Sequence, residues 1–166
     1  MADKTLNDLF YETLRDIYYA ERKILKSLPK MARNAQSEKL KNAFLKHRDE
    51  TEGQVERLQQ VFEIIGKSAR AKTCPAIDGI VEEAEEIMED FKGMPALDAG
   101  LLAAAQAVEH YEISRYGTLA TWARELGMKD AVTLLEQTLA EESKTDEALS
   151  KIAETAVNQA AQKKAA

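Results

Sequence analysis

Apolar residues recur every three or four positions along almost the whole chain. That spacing builds one apolar stripe per helix. Four long runs carry such a stripe. The first spans about Thr5 to Ala35 through Leu6, Phe10, Leu14, Ile17, Ile24 and Leu28. Thr5 suits its N-cap, and Asp8 in the first turn suits the helix dipole. Pro29 is expected to kink this helix or start a new turn, at about 3 kcal/mol if fully interior. The second run starts at the N-cap Ser37 and ends at Gly66, a natural C′ residue. The third spans about Pro95 to Leu126 and is closed by Gly127. The fourth spans about Lys129 to Val157.

A basic linker, residues 67–75, follows the second run, and Pro75 opens a shorter helix at its first turn. The order is therefore long, long, short, long, long. Tight turns make each long pair antiparallel, and the pairs are joined by a long connection with its own helix. This is the pattern of an all-α four-helix bundle with one crossover. Residues 1–157 form that bundle, and the Ala-, Gln- and Lys-rich tail, residues 158–166, is expected to fray.

Composition narrows the function. The 166 residues suit one domain. A single cysteine, Cys74, excludes a disulfide scaffold, and it reads as an inert thiol of a reducing compartment. A net charge of −6 makes nucleic acids and anionic membranes poor partners. Basic candidates for a DNA-protecting role are confined to Lys67, Arg70 and Lys72 in the linker and Lys163 and Lys164 in the tail. No secretory signal and no membrane-length apolar stretch is present, so a cytoplasmic protein is expected. The run Glu82-Glu83-Ala84-Glu85-Glu86 reads as a solvated helix face.

Each stripe breaks near its middle. Glu21 stands in the first, between Ile17 and Ile24. Glu112 stands in the third, between Val108 and Tyr116, with Glu109 one turn earlier. Glu142 and Asp146 share the face of Leu139 and Leu149. The second stripe has a polar gap holding His47, Glu50, Thr51 and Gln54. Helix midpoints meet at one level in an antiparallel bundle, so the breaks imply carboxylates clustered inside. Burying them unpaired is costly. Shared protons, Arg or Lys partners, or metal cations could each compensate. Oxygen-rich sites suit iron, manganese or magnesium better than copper. A faint internal repeat, aligning Glu21 with Glu112 and Leu28 with Leu119, suggests two related hairpins.

These residues resemble the ferritin and rubrerythrin superfamily, and more closely the YciF/YciE-type ferritin-like proteins associated with bacterial stress responses. The resemblance rests on Tyr19-Ala20-Glu21-Arg22, on Glu50 through Arg57, on Val108-Glu109-His110-Tyr111-Glu112-Ile113, on Tyr116 through Thr121, and on Glu141 through Asp146. It implies a ferritin-like bundle holding two divalent ions, iron or manganese. It implies Glu21, Glu50, Glu109, Glu112 and Glu142 as ligands. The superfamily's Glu-x-x-His pairs are absent, and Gln54 and Asp146 stand at i+4 from Glu50 and Glu142, where they could replace the histidines. His47 and His110 read as polar surface. Tyr18, Tyr111 and Tyr116 read as residues orienting the ligands. Trp122 reads as core or dimer interface.

The resemblance also implies a homodimer and a stress-related protein whose metals react with oxygen or peroxide. The alternative is a non-catalytic, dimeric helical module with a structural or vestigial metal site, acting through an unidentified protein partner.

Overall fold

A computed structural model of the chain describes residues 3–162. Its principal helices are α1 (Leu6–Asn34), α2 (Glu38–Ile64), α3 (Pro75–Asp90), α4 (Leu97–Glu125) and α5 (Lys129–Ile152). A π-helical turn, Ala153–Val157, leads from α5 into a short α6, Asn158–Ala161. Among the described residues there is no strand.

Local signals set the helix ends. The Asp8 carboxylate accepts from the Thr5 backbone N–H at 2.7 Å and from its hydroxyl at 2.8 Å. Gly66 and Gly127 follow α2 and α5's predecessor α4 with φ of 66° and 75°, a conformation that a side chain would strain. α1 continues without interruption through Pro29 to Asn34, contrary to a new turn there. Leu28, Met31 and Ala32 are buried around the proline, and their packing holds the last turn against the lost backbone hydrogen bond. The third long helix begins at Leu97 rather than Pro95. Asp98 then reaches back to the α1–α2 turn, accepting from the N–H groups of Gln36 at 2.8 Å and Ser37 at 2.6 Å.

The segment expected to fray starts as helix. The π turn buries Ala153 and Val157, which anchors Asn158–Ala161 beside α4. Residues 163–166, with Lys163 and Lys164, lie outside the described residues.

α1 packs on α2 and α4 on α5. α2 also packs on α5 and α1 on α4, which closes a four-sided bundle. Leu14, Ile17, Phe44, Leu58, Phe62, Leu101, Leu119 and Leu135 fill it. α3 lies across the α1–α4 seam. Its outer residues Glu82, Glu83, Glu86 and Glu89 are exposed, a solvated face. Its inner edge is strapped to α1. Tyr19 donates its hydroxyl to Asp78 at 2.9 Å, Lys23 pairs with Asp78 at 3.1 Å, and Lys30 pairs with Glu85 at 2.8 Å. No described helix is long and apolar enough to cross a membrane.

Candidate metal centre

The breaks in the four stripes do meet. Glu21 of α1, His47 of α2, Glu109 and Glu112 of α4, and Glu142 of α5 are all buried, the four glutamates fully so. Ligand atoms of His47, Glu109, Glu112 and Glu142 lie within 4.8 Å of one another. His47 stands between two acids, with Nδ1 2.9 Å from Glu109 Oε1 and Nε2 3.5 Å from Glu142 Oε2.

The acids meet in two pairs. Glu21 and Glu112 face each other from α1 and α4, close enough to share a proton. Glu109 and Glu142 do the same from α4 and α5. Period makes this possible, because residues three apart on one helix face the same interior volume. Glu109 and Glu112 thus serve neighbouring pairs. Burial pushes all four carboxyls above the usual carboxylate range, and repulsion from Glu142 and Glu21 raises Glu112 further. The buried Tyr116 hydroxyl donates to Glu21 Oε1.

Beyond a proton shared within each pair and the His47 contacts, the oxygens of Glu109, Glu112 and Glu142, Oε2 of Glu21 and Oε1 of Gln54 are buried without a hydrogen-bond donor. Among the described residues, no Lys or Arg pairs with these glutamates. Arg22 and Lys144 are exposed, and Arg115 stacks on the Tyr111 ring at 5.3 Å. Ionic packing by Lys or Arg is therefore not what compensates the cluster. Carboxylate oxygens and an imidazole thus converge within metal-binding distance of one another.

Other sequence-derived candidates sit at the rim. Gln54 is buried, but its Nε2 donates to Glu141 at 3.2 Å. Glu141 is held in turn by a bidentate pair with Arg57. Glu50 is partly exposed, pairs with Lys46 at 2.8 Å and accepts from Thr145 at 3.5 Å. Asp146 accepts from Gln106 at 3.1 Å and lies 3.2 Å from His110 Nε2. Glu50 and Asp146 are near enough to raise the proton affinity of Glu109, but their oxygens are engaged outside the cluster.

On α2 the inward residue is His47, not surface as its polar flank suggests. The signal was the period itself. Leu40, Phe44, His47, Thr51, Gln54, Leu58 and Val61 advance by threes and fours and are all buried, and Glu50 falls off that line. Of the three tyrosines, only Tyr116 touches a cluster glutamate. The Tyr18 hydroxyl accepts from Gln59 at 3.3 Å, and Tyr111 meets the buried Cys74 sulfur at 3.1 Å. His110 is exposed, as expected.

The family model described as Domain of unknown function (DUF892) matches residues 5–162. The chain belongs to the DUF892 family. Protein YciF of Escherichia coli K12 is 47% identical over 99% of this chain and all of its own length. The crystal structure of the E. coli stress protein YciF superposes with a TM-score of 0.90 at 45% identity, covering 95% of this chain and 99% of that one. YcfI from Rhodopseudomonas palustris gives 0.86 at 47% identity, covering 89% of this chain and 94% of the other. A Xanthomonas campestris protein, 22% identical, gives 0.71 over 93% and 94% and shows the fold alone. This DUF892 chain is thus of the YciF type that its sequence resembles, and its bundle is the YciF bundle. Its buried histidine and glutamates form a group within metal-binding distance.

Proposed function

We propose that the chain binds two divalent metal ions, iron or manganese, inside the bundle and acts in a bacterial stress response through their reaction with oxygen or peroxide. The stress role is carried over from YciF, described as a stress protein and 47% identical along its whole length. The observation that carries the metal reading is the two glutamate pairs with their unpartnered oxygens and no Lys or Arg among them. Glu21 with Glu112, and Glu109 with Glu142 and His47, would hold the ions, with Gln54 Oε1 in reserve at the edge.

Bound iron or manganese supplies one-electron chemistry toward oxygen species. The chain's own residues do the rest. Tyr116 fixes one oxygen of Glu21 and leaves the other free. The buried side chains around the cluster keep bulk water away.

The test is metal content by mass spectrometry on protein purified without chelator, then reloaded anaerobically with Fe(II) or Mn(II). Roughly two ions per chain, with an optical change on exposure to oxygen or peroxide, is the expected result. Glu112→Gln should lower the metal content. No retained metal under either loading would sink the reading.

A second reading has its own support. Each glutamate pair can be satisfied by one shared proton, so the bundle can carry its buried acids without an ion. That favours a vestigial or structural site, the kind that the alternative of a homodimeric module acting through a protein partner would carry. Retained metal without oxygen or peroxide reactivity, or no metal with a stable dimer by light scattering, would be its signature.

A further inference from the structure

Under α3, a cavity of about 20 Å³ runs between α1, α3 and α4. Its walls are apolar: Leu28 and Met31 from α1, Val81 and Met88 from α3, and Ala105 and Val108 from α4. The two ends differ. At one end are Lys30 and Glu85, both about half exposed and joined by their ion pair. At the other are His47 and Glu109, both buried members of the carboxylate cluster.

From these features we infer that the cavity is an entry pocket for a small apolar molecule, dioxygen, delivering it to the His47 and Glu109 side of the cluster. The inference rests on the di-metal reading and adds which oxidant the site admits and from which side.

Size and chemistry both select. One water molecule needs roughly 10–15 Å³ of cavity, so this one takes one diatomic molecule and no organic substrate. Between the two ends the lining offers one polar side chain, Ser27, and its hydroxyl is already spent on the Lys23 carbonyl at 3.0 Å. Hydrogen peroxide or water would leave its hydrogen bonds behind on passing this lining, which is costly, whereas dioxygen has none to lose. Anionic oxidants face the added cost of desolvating a charge beside Glu109. The Lys30–Glu85 pair crosses from α1 to α3 at the outer end, and both of its side chains are half exposed there.

Xenon is a probe of the same apolar character. Metal-free protein crystals pressurised with xenon should show one site between Val81, Ala105 and Val108. Ala84→Leu on α3 and Ala105→Val on α4 each fill part of the pocket from a different helix, so failure of one variant to fold leaves the other. In each, xenon occupancy should fall. In anaerobically Fe(II)-loaded protein the variants should react with dioxygen about tenfold or more slowly, with metal content and the rate with hydrogen peroxide unchanged. Absence of xenon from the wild-type pocket, or filled variants that react with dioxygen at the wild-type rate, would overturn the inference. A protein that binds xenon there but retains no metal would instead defeat the di-metal reading and leave the pocket standing as an apolar gas site without its proposed use.

Discussion

Glu21 and Glu112 face each other across the α1–α4 contact, and the Tyr116 hydroxyl, one turn beyond Glu112 on α4, donates to Glu21. One helix thus supplies both a second acid and the donor that orients the first. The geometry assigns unequal tasks to the oxygens of Glu21. Oε1 is held by the tyrosine, and Oε2 is left free.

Tyr116→Phe removes that donor and little else, because the ring stays. The expected cost is about 1–3 kcal/mol in a urea titration of the metal-free protein, the range for a buried acceptor left unsatisfied. Under the metal reading the stoichiometry should hold while affinity weakens. A variant as stable as the parent would show that the hydroxyl does not support Glu21.

The second long helix offers a direct contrast. His47 is 3% exposed between Glu109 and Glu142, whereas Glu50 turns toward Lys46 and Thr145. His47→Ala should lower retained metal sharply. Glu50→Ala should leave it nearly unchanged and shift stability by less than about 1 kcal/mol, as for other partly exposed ion pairs. Parallel metal analysis of the two variants decides the assignment, and the opposite ranking would return Glu50 to the site.

That contrast shows what the sequence could disclose. The helices were legible because burial imposes a 3.6-residue period on every stripe, and Glu21, Glu109, Glu112 and Glu142 stood out as carboxylates on that period. His47 lies on the same period, but neighbouring Arg48, Asp49 and Glu50 blur it into a polar stretch. Asp146 shares a face with Glu142 in sequence, yet Gln106 and His110 of α4 draw its carboxylate outward. Partners from another helix have no signature in the local pattern. The same holds for the pocket beneath α3, which depends on how the crossover helix settles on α1 and α4.

Asp98 tests the scaffold apart from the site. Its two oxygens satisfy the Gln36 and Ser37 N–H groups at the start of α2, from the first turn of α4. Asp98→Ala leaves both donors without this partner and is expected to cost about 2–3 kcal/mol, as for a cap whose hydrogen bonds are charge-assisted. Metal content should not change. A loss of metal without a loss of stability would mean that this corner positions the cluster rather than the fold.

The acid pairs predict a pH dependence whose sign reverses with metal. Burial first, then repulsion from neighbouring acids, pushes Glu21 and Glu109 up to about 8, and burial with the hydrogen bond to Glu109 pushes Glu142 up to about 9, against 4.5 for an ordinary glutamate. A folded carboxyl with raised proton affinity binds its proton more tightly than the unfolded chain does. Its contribution to stability is therefore complete below about pH 4.5 and is lost progressively as pH rises through about 8 to 9. In chelator, the urea midpoint of the metal-free protein should fall across that interval. Metal binding needs the deprotonated acids, so excess Fe(II) or Mn(II) held anaerobically should add more stability at about pH 8 than at about pH 6. His47→Ala and Glu112→Gln should shrink the difference between the two curves. Parallel curves with and without metal would mean that no ion is held by these carboxylates.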